Sequence, residues 1–154
     1  MLKKIFFMFL SATILLLSQD NSLQANEKPR LVMDRVLLFS IKILEKSFQS
    51  ENAFIRSASA RAAGESEYPG LIPFLKKAEK DSYHTTRLFA LQGIKKISLD
   101  EARKMSIRMS QDLNVWNRGA AIAMLGELGD GSSGNLIRPH LKSPYRTVRY
   151  AAAG

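Results

Sequence analysis

Arg56, Arg87, Arg118 and Arg149 are evenly spaced, each one following the last at the same 31-residue step. Six residues before each arginine stands a short oxygen-bearing side chain, Ser50, Asp81, Asp112 and Ser143, and three residues after it a small residue, Ser59, Ala90, Ala121 and Ala152. Self-similarity at this kind of period means that one supersecondary unit is copied along the chain; a single copy cannot bury its apolar face alone, so neighbouring copies must stack. The short oxygens suit the cap of a helix, which predicts a helix opening shortly before each arginine.

Within each repeat unit the apolar spacing predicts two short amphipathic helices. In the unit that begins at Asp112, Ala120, Ala121, Met124, Leu125 and Leu128 follow one another at three and four residues and share a helical face, with Gly126 and the glycine-rich stretch 129–131 to end it. The preceding unit carries Leu88, Phe89, Ala90, Leu91, Ile94 and Ile97, and its second helix is predicted to open at Ser98 with Glu101 three residues on, the pattern of a capping box. Ala102, Met105 and Met109 supply that helix's buried stripe. The first unit offers Ile55, Ala58, Ala62 and Ala63 in a helix ended by Gly64, then Leu71, Ile72, Phe74 and Leu75 in a second helix. Pro73 falls near the start of that helix, where a missing amide costs least. Pro139 holds a comparable place but lies four residues further from Pro73 than two whole repeats would put it, which predicts an insertion in the turn 129–134.

The expected architecture is therefore all-α, a right-handed α-solenoid of helix pairs with about three repeats at 50–80, 81–111 and 112–142. A leading cap helix within 26–49 precedes them, and a partial unit at 143–154 opens on Ser143-Pro144 as a helix start. Val148, Ala151 and Ala152 would lie on the outer face of that last unit, where a solenoid normally places polar residues. This leads us to expect further repeats beyond Gly154, or else a partner over the last helix.

Residues 1–25 have a different composition. A basic start at Lys3 and Lys4 leads into an apolar run at 5–17 and then to Leu23-Gln24-Ala25, the layout of a secretory signal peptide. The run is shorter than the roughly 20 residues needed to cross a hydrocarbon core, so no span is expected in the mature chain. With no cysteine anywhere, lipid attachment at a signal cysteine, disulfides and thiolate chemistry are all excluded. The expectation is an exported protein, periplasmic or secreted. Loss of residues 1–25 removes Lys3, Lys4 and Asp20, so the net charge falls only from +9 to +8. Such a surplus favours acidic partners.

The segment Arg118-Gly119-Ala120-Ala121-Ile122-Ala123-Met124-Leu125-Gly126-Glu127-Leu128-Gly129-Asp130 resembles the first helix and turn of short HEAT-like repeats, of the kind found in phycobilisome bilin lyase subunits. Asp112, Arg118 and Ala121 keep the family spacing. Asp81, Arg87 and Ala90 keep it too, although Gly93 comes two residues early, and Ser50 and Ser143 stand where the family has aspartate. The resemblance covers residues 50–154 and implies a helix-pair stack in which the arginines bond to aspartate and to loop carbonyls. The signatures of tetratricopeptide and ankyrin units are absent.

Accordingly Arg56, Arg87, Arg118 and Arg149 are read as a structural ladder with Asp81 and Asp112, the carboxylates six residues upstream, as partners. A second basic set, Lys42, Lys46, Lys76, Lys77, Lys80, Arg103, Lys104, Arg108, Arg138 and Lys142, falls in or just after the second helices and is the candidate binding groove, diluted by Glu45, Glu79, Asp100 and Glu101. Tyr83, Tyr145 and Trp116 lie near unit junctions rather than interleaved with these cations, which disfavours nucleic acid, and Trp116 is expected to be packed. His84 and His140 are far apart, at non-matching points of the repeat and with no spaced acidic ligands, and no phosphate loop or nucleophile elbow is present. No metal or cofactor is expected. The expected function is binding without catalysis, of a protein and especially an acidic one, with contact to the cell envelope allowed. The rival expectations are a polyanion-binding protein for acidic glycan, lipid head group or nucleic acid, and a bilin-lyase-like accessory enzyme.

Overall fold

The computed structural model describes residues 35–129 and 133–154. The expected signal peptide lies outside them. All regular structure among the described residues is helical, and none of these helices is long and apolar enough to cross a membrane. The chain divides into two compact units, one ending at Lys42 and one comprising Ile43–Gly154. The first contributes residues 35–42 of a helix, α1, that runs over 35–48; Val36, Leu37, Leu38 and Phe39 are exposed.

In the second unit the repeat step reappears as geometry. Helices α2 (Ala53–Glu65), α4 (His84–Ile97), α6 (Val115–Glu127) and α8 (Arg146–Ala153) start one period apart. Between them come α3 (Ile72–Ala78), α5 (Leu99–Met109) and α7 (Ser133–Ile137), the last running into a 3-10 stretch at Arg138–Lys142 with Pro139 near its start. Helix α2 packs on α4, α4 on α6 and α6 on α8, while α3 lies against α4, and α5 against both α4 and α6.

The helix starts correct the sequence reading in one respect. The cap positions are Asn52, Tyr83, Asn114 and Tyr145, two residues later than expected; the Asn52 and Asn114 side chains cap their helices, and the tyrosines do not. The recurring oxygens act one turn earlier. The side chains of Ser50, Asp81, Asp112 and Ser143 accept the backbone N–H of residues 52, 83, 114 and 145 at 3.2, 2.8, 2.7 and 3.3 Å. Each thus folds the turn that leads into the helix. Pro144 sits in that turn rather than at a first helical position.

The core also keeps the period. Ser59, Ala90 and Ala121 are buried, as are Ala60, Leu91 and Ile122, then Ala63, Ile94 and Leu125, three sets of residues each related by one repeat step. Leu71 just before α3, Leu75 of α3 and Met105 of α5 complete it. Ala58 and Ala62, expected on the buried face of α2, are exposed. The α2 face is turned by one residue because α2 meets α4 at Gly64 and Gly93; a Cβ on Gly64 would lie 2.2 Å from the Gly93 Cα. Gly64 is therefore a contact inside α2 rather than its stop.

This crossing yields a paired test. Gly64→Ala must push two backbones apart and should destabilise the fold by about 2 kcal/mol. Gly126→Ala, exposed inside α6 with its nearest neighbour at 4.0 Å, should stabilise it by roughly 0.5–1 kcal/mol through helix propensity. Urea unfolding midpoints of the two variants should move in opposite directions.

Candidate functional site

Each ladder arginine grips the turn of its own repeat through Nη1. Arg56 donates to the carbonyls of Ser50 and Glu51 at 2.8 and 2.9 Å, and Arg87 to those of Asp81 and Ser82 at 2.8 and 3.1 Å. Arg118 donates to Asp112 and Leu113 at 2.6 and 3.2 Å, and Arg149 to Ser143 and Pro144 at 2.8 and 3.0 Å. Four guanidiniums thus occupy equivalent places.

The other edge of the guanidinium reaches forward to the next repeat. Arg56 Nε and Nη2 donate to Asp81 Oδ2 and Oδ1 at 2.6 and 2.9 Å, and Arg87 Nε and Nη2 to Asp112 Oδ2 and Oδ1, both at 2.7 Å. The carboxylate partner belongs to the following repeat, not to the position six residues upstream that the sequence suggested; the upstream residue contributes its carbonyl. Burial pushes both carboxyls up, but the hydrogen bonds from the arginine and from the turn N–H, with the arginine's charge, outweigh it and hold Asp81 and Asp112 below the usual carboxylate range.

Arg118 departs from this pattern because the equivalent residue of the next repeat is Ser143. The Ser143 hydroxyl makes the turn bond to Tyr145 N–H, and Arg118 forms no ion pair among the described residues; its guanidinium lies 5.0 Å from the centre of the Tyr145 ring. Burial lowers the pKa of half-buried His140, and the Arg118 charge lowers it further.

The candidate groove is less open than the sequence implied. Lys76 pairs with Glu101 at 2.9 Å, and Lys104 with Asp100 at 2.6 Å and Glu101 at 3.7 Å. Arg108 forks onto Glu79 with two contacts of 2.7 Å. Glu79, Asp100 and Glu101 therefore neutralise specific cations. Glu101 also completes only half of its capping box: Ser98 accepts its N–H at 3.3 Å, while its carboxylate turns to the lysines. Arg103 is half-buried. Lys46, Lys77, Lys80, Arg138 and Lys142 are exposed and form no ion pair among the described residues. Lys77 and Lys80 border a cleft of about 380 Å³ that also includes Phe48 and Phe74, whose rings stack at 5.8 Å. Lys42, in the other compact unit, is exposed.

A second surface escaped the sequence reading. Phe54 is 72% exposed, Leu113 95%, Trp116 65% and Tyr145 50%, so Trp116 is not packed. All four flank the starts of first helices. The Arg56–Asp81 and Arg87–Asp112 pairs and the Arg118–Tyr145 contact link the turns that carry these side chains, each to the next in sequence. The available signal was the repeat register around residues 52, 83, 114 and 145, where turn and cap positions leave little room for burial. Among the described residues no group of three or more His, Cys, Asp or Glu side chains could hold a metal ion.

Asp112→Asn should lower stability by roughly 2–3 kcal/mol, because it weakens two charge-assisted bonds to a half-buried guanidinium. Since the folded pKa of Asp112 lies below its unfolded value of about 3.9, its contribution is present above about pH 4 and is lost as pH falls through the folded value. Chemical denaturation at stepped pH should show the wild-type advantage over Asp112→Asn at pH 7 shrinking toward pH 2. Beyond its geometry, the chain matches no protein-family model and no curated protein.

Proposed function

We propose that this chain is an exported, non-catalytic scaffold, a right-handed solenoid of HEAT-like helix pairs that binds a partner protein of acidic character. What supports the stack is the constant step in helix starts, turn bonds and arginine contacts, together with helices that pack on their sequence neighbours. The observation that carries the binding reading is the exposure of Phe54, Leu113, Trp116 and Tyr145 at the starts of first helices. Large apolar side chains exposed at repeated turn positions are a feature of docking surfaces. Lys46, Lys77, Lys80, Arg138 and Lys142 supply the positive field that would speed encounter with an acidic partner.

The exposed lysines around the Phe48–Phe74 cleft also favour a second reading, polyanion binding, which predicts heparin retention lost on joint replacement of Lys77 and Lys80 by glutamate. The two readings separate by crosslinking. With a photoreactive residue at position 116, the full-length chain in an exporting cell should give a discrete protein adduct whose yield falls as salt rises. The same residue at position 96, near the far end of α4, should give none. Adducts absent at 116, or equal at both positions, would contradict the protein-docking reading.

A further inference from the structure

In the two complete joints of the ladder, one aspartate serves two arginines. Asp112 takes Nε and Nη2 of Arg87 on its carboxylate and Nη1 of Arg118 on its backbone carbonyl. Asp81 does the same for Arg56 and Arg87. At the third joint the equivalent residue is Ser143. Its carbonyl accepts from Arg149 at 2.8 Å and its hydroxyl makes the same turn bond as the aspartates. The turn is thus built as at the other joints, while the side chain lacks the carboxylate and its negative charge. Arg118 Nε and Nη2 donate to no acceptor among the described residues, and its one recorded contact across the joint is the Tyr145 ring.

We propose that Arg118, with Arg149 beside it, is a recognition site for a carboxylate supplied from outside the chain, which docks on the Nε–Nη2 edge that Asp81 and Asp112 fill at the other joints. A planar two-oxygen anion matches that edge bidentately. Exposed Tyr145, whose ring centre lies 5.0 Å from the Arg118 guanidinium, and exposed Leu113, whose carbonyl Arg118 holds, adjoin the position, so the carboxylate it suits is that of an acidic side chain with apolar neighbours on a partner protein. Burial, and after it the Arg118 charge, lower the pKa of His140, which disfavours a further cation beside the arginines. The identity of the carrier rests on the docking reading above; the site itself rests on the repeat geometry.

The test is a titration of the full-length chain with acetate and, separately, inorganic phosphate, following arginine Nε–H resonances. Arg56 and Arg87, already occupied, act as internal controls for the fold. The expected result is a saturable acetate shift at Arg118 that is absent at those two and lost in Ser143→Asp, which supplies the carboxylate internally and should also raise the melting temperature. Arg118→Lys should remove the saturable response while the control resonances persist. An unresponsive Arg118, an equal response at all arginines, or a Ser143→Asp variant that binds acetate as the wild type does would overturn the site, and a response to phosphate alone would overturn its carboxylate assignment. Acetate binding at Arg118 without a crosslink at position 116 would remove the protein partner and leave the site standing.

Discussion

The geometry of one guanidinium organises this molecule. Its five donors are fixed in a plane, so a single side chain can hold the carbonyls of its own turn on one edge and a carboxylate of the next turn on the other. Arg56 and Arg87 do both, and all four ladder arginines do the first. The apolar contacts between repeats are made by small and medium side chains, Ala60, Ala63, Ala90, Leu91 and Ala121 among them. Where α2 crosses α4 that packing is close enough to bring the backbones of Gly64 and Gly93 into contact. The polar joints hold consecutive turns at one spacing.

Much of this is legible in the chain because repetition multiplies weak signals. A lone arginine says little, whereas four at one step locate four first helices and the residues that meet between them. The sequence reading fails where the step is not applied strictly. It pairs Arg87 and Arg118 with the carboxylates six residues upstream, although Ser50 and Ser143 already show that this position need not be acidic. Likewise local spacing puts Ala58 and Ala62 on the buried face of α2, while translation of Leu91 and Ile94 back by one repeat gives Ala60 and Ala63.

Other features could not be read at all without coordinates. Arg108 of α5 meets Glu79 just past α3, and Lys76 of α3 meets Glu101 of α5, pairings that depend on how those two helices are placed. A count of lysines and arginines therefore overstates the charge of the second helices. Exposure of Trp116 is hidden for the opposite reason, since tryptophan is on average well buried. Once the basic set is reduced and the exposed aromatics added, attention moves from a broad positive trough to the helix starts, where Arg118 meets the exposed Tyr145 ring.

The claim on which this account stands is that arginine and carboxylate couple adjacent repeats directly. A double-mutant cycle on Arg87 and Asp112, with each replaced by alanine alone and together, measures that coupling by equilibrium unfolding. The account predicts a favourable interaction of about 1–3 kcal/mol between the two sites. Additive losses, with a coupling indistinguishable from zero, would show that the packed helices set the repeat spacing by themselves and that the ladder merely decorates it.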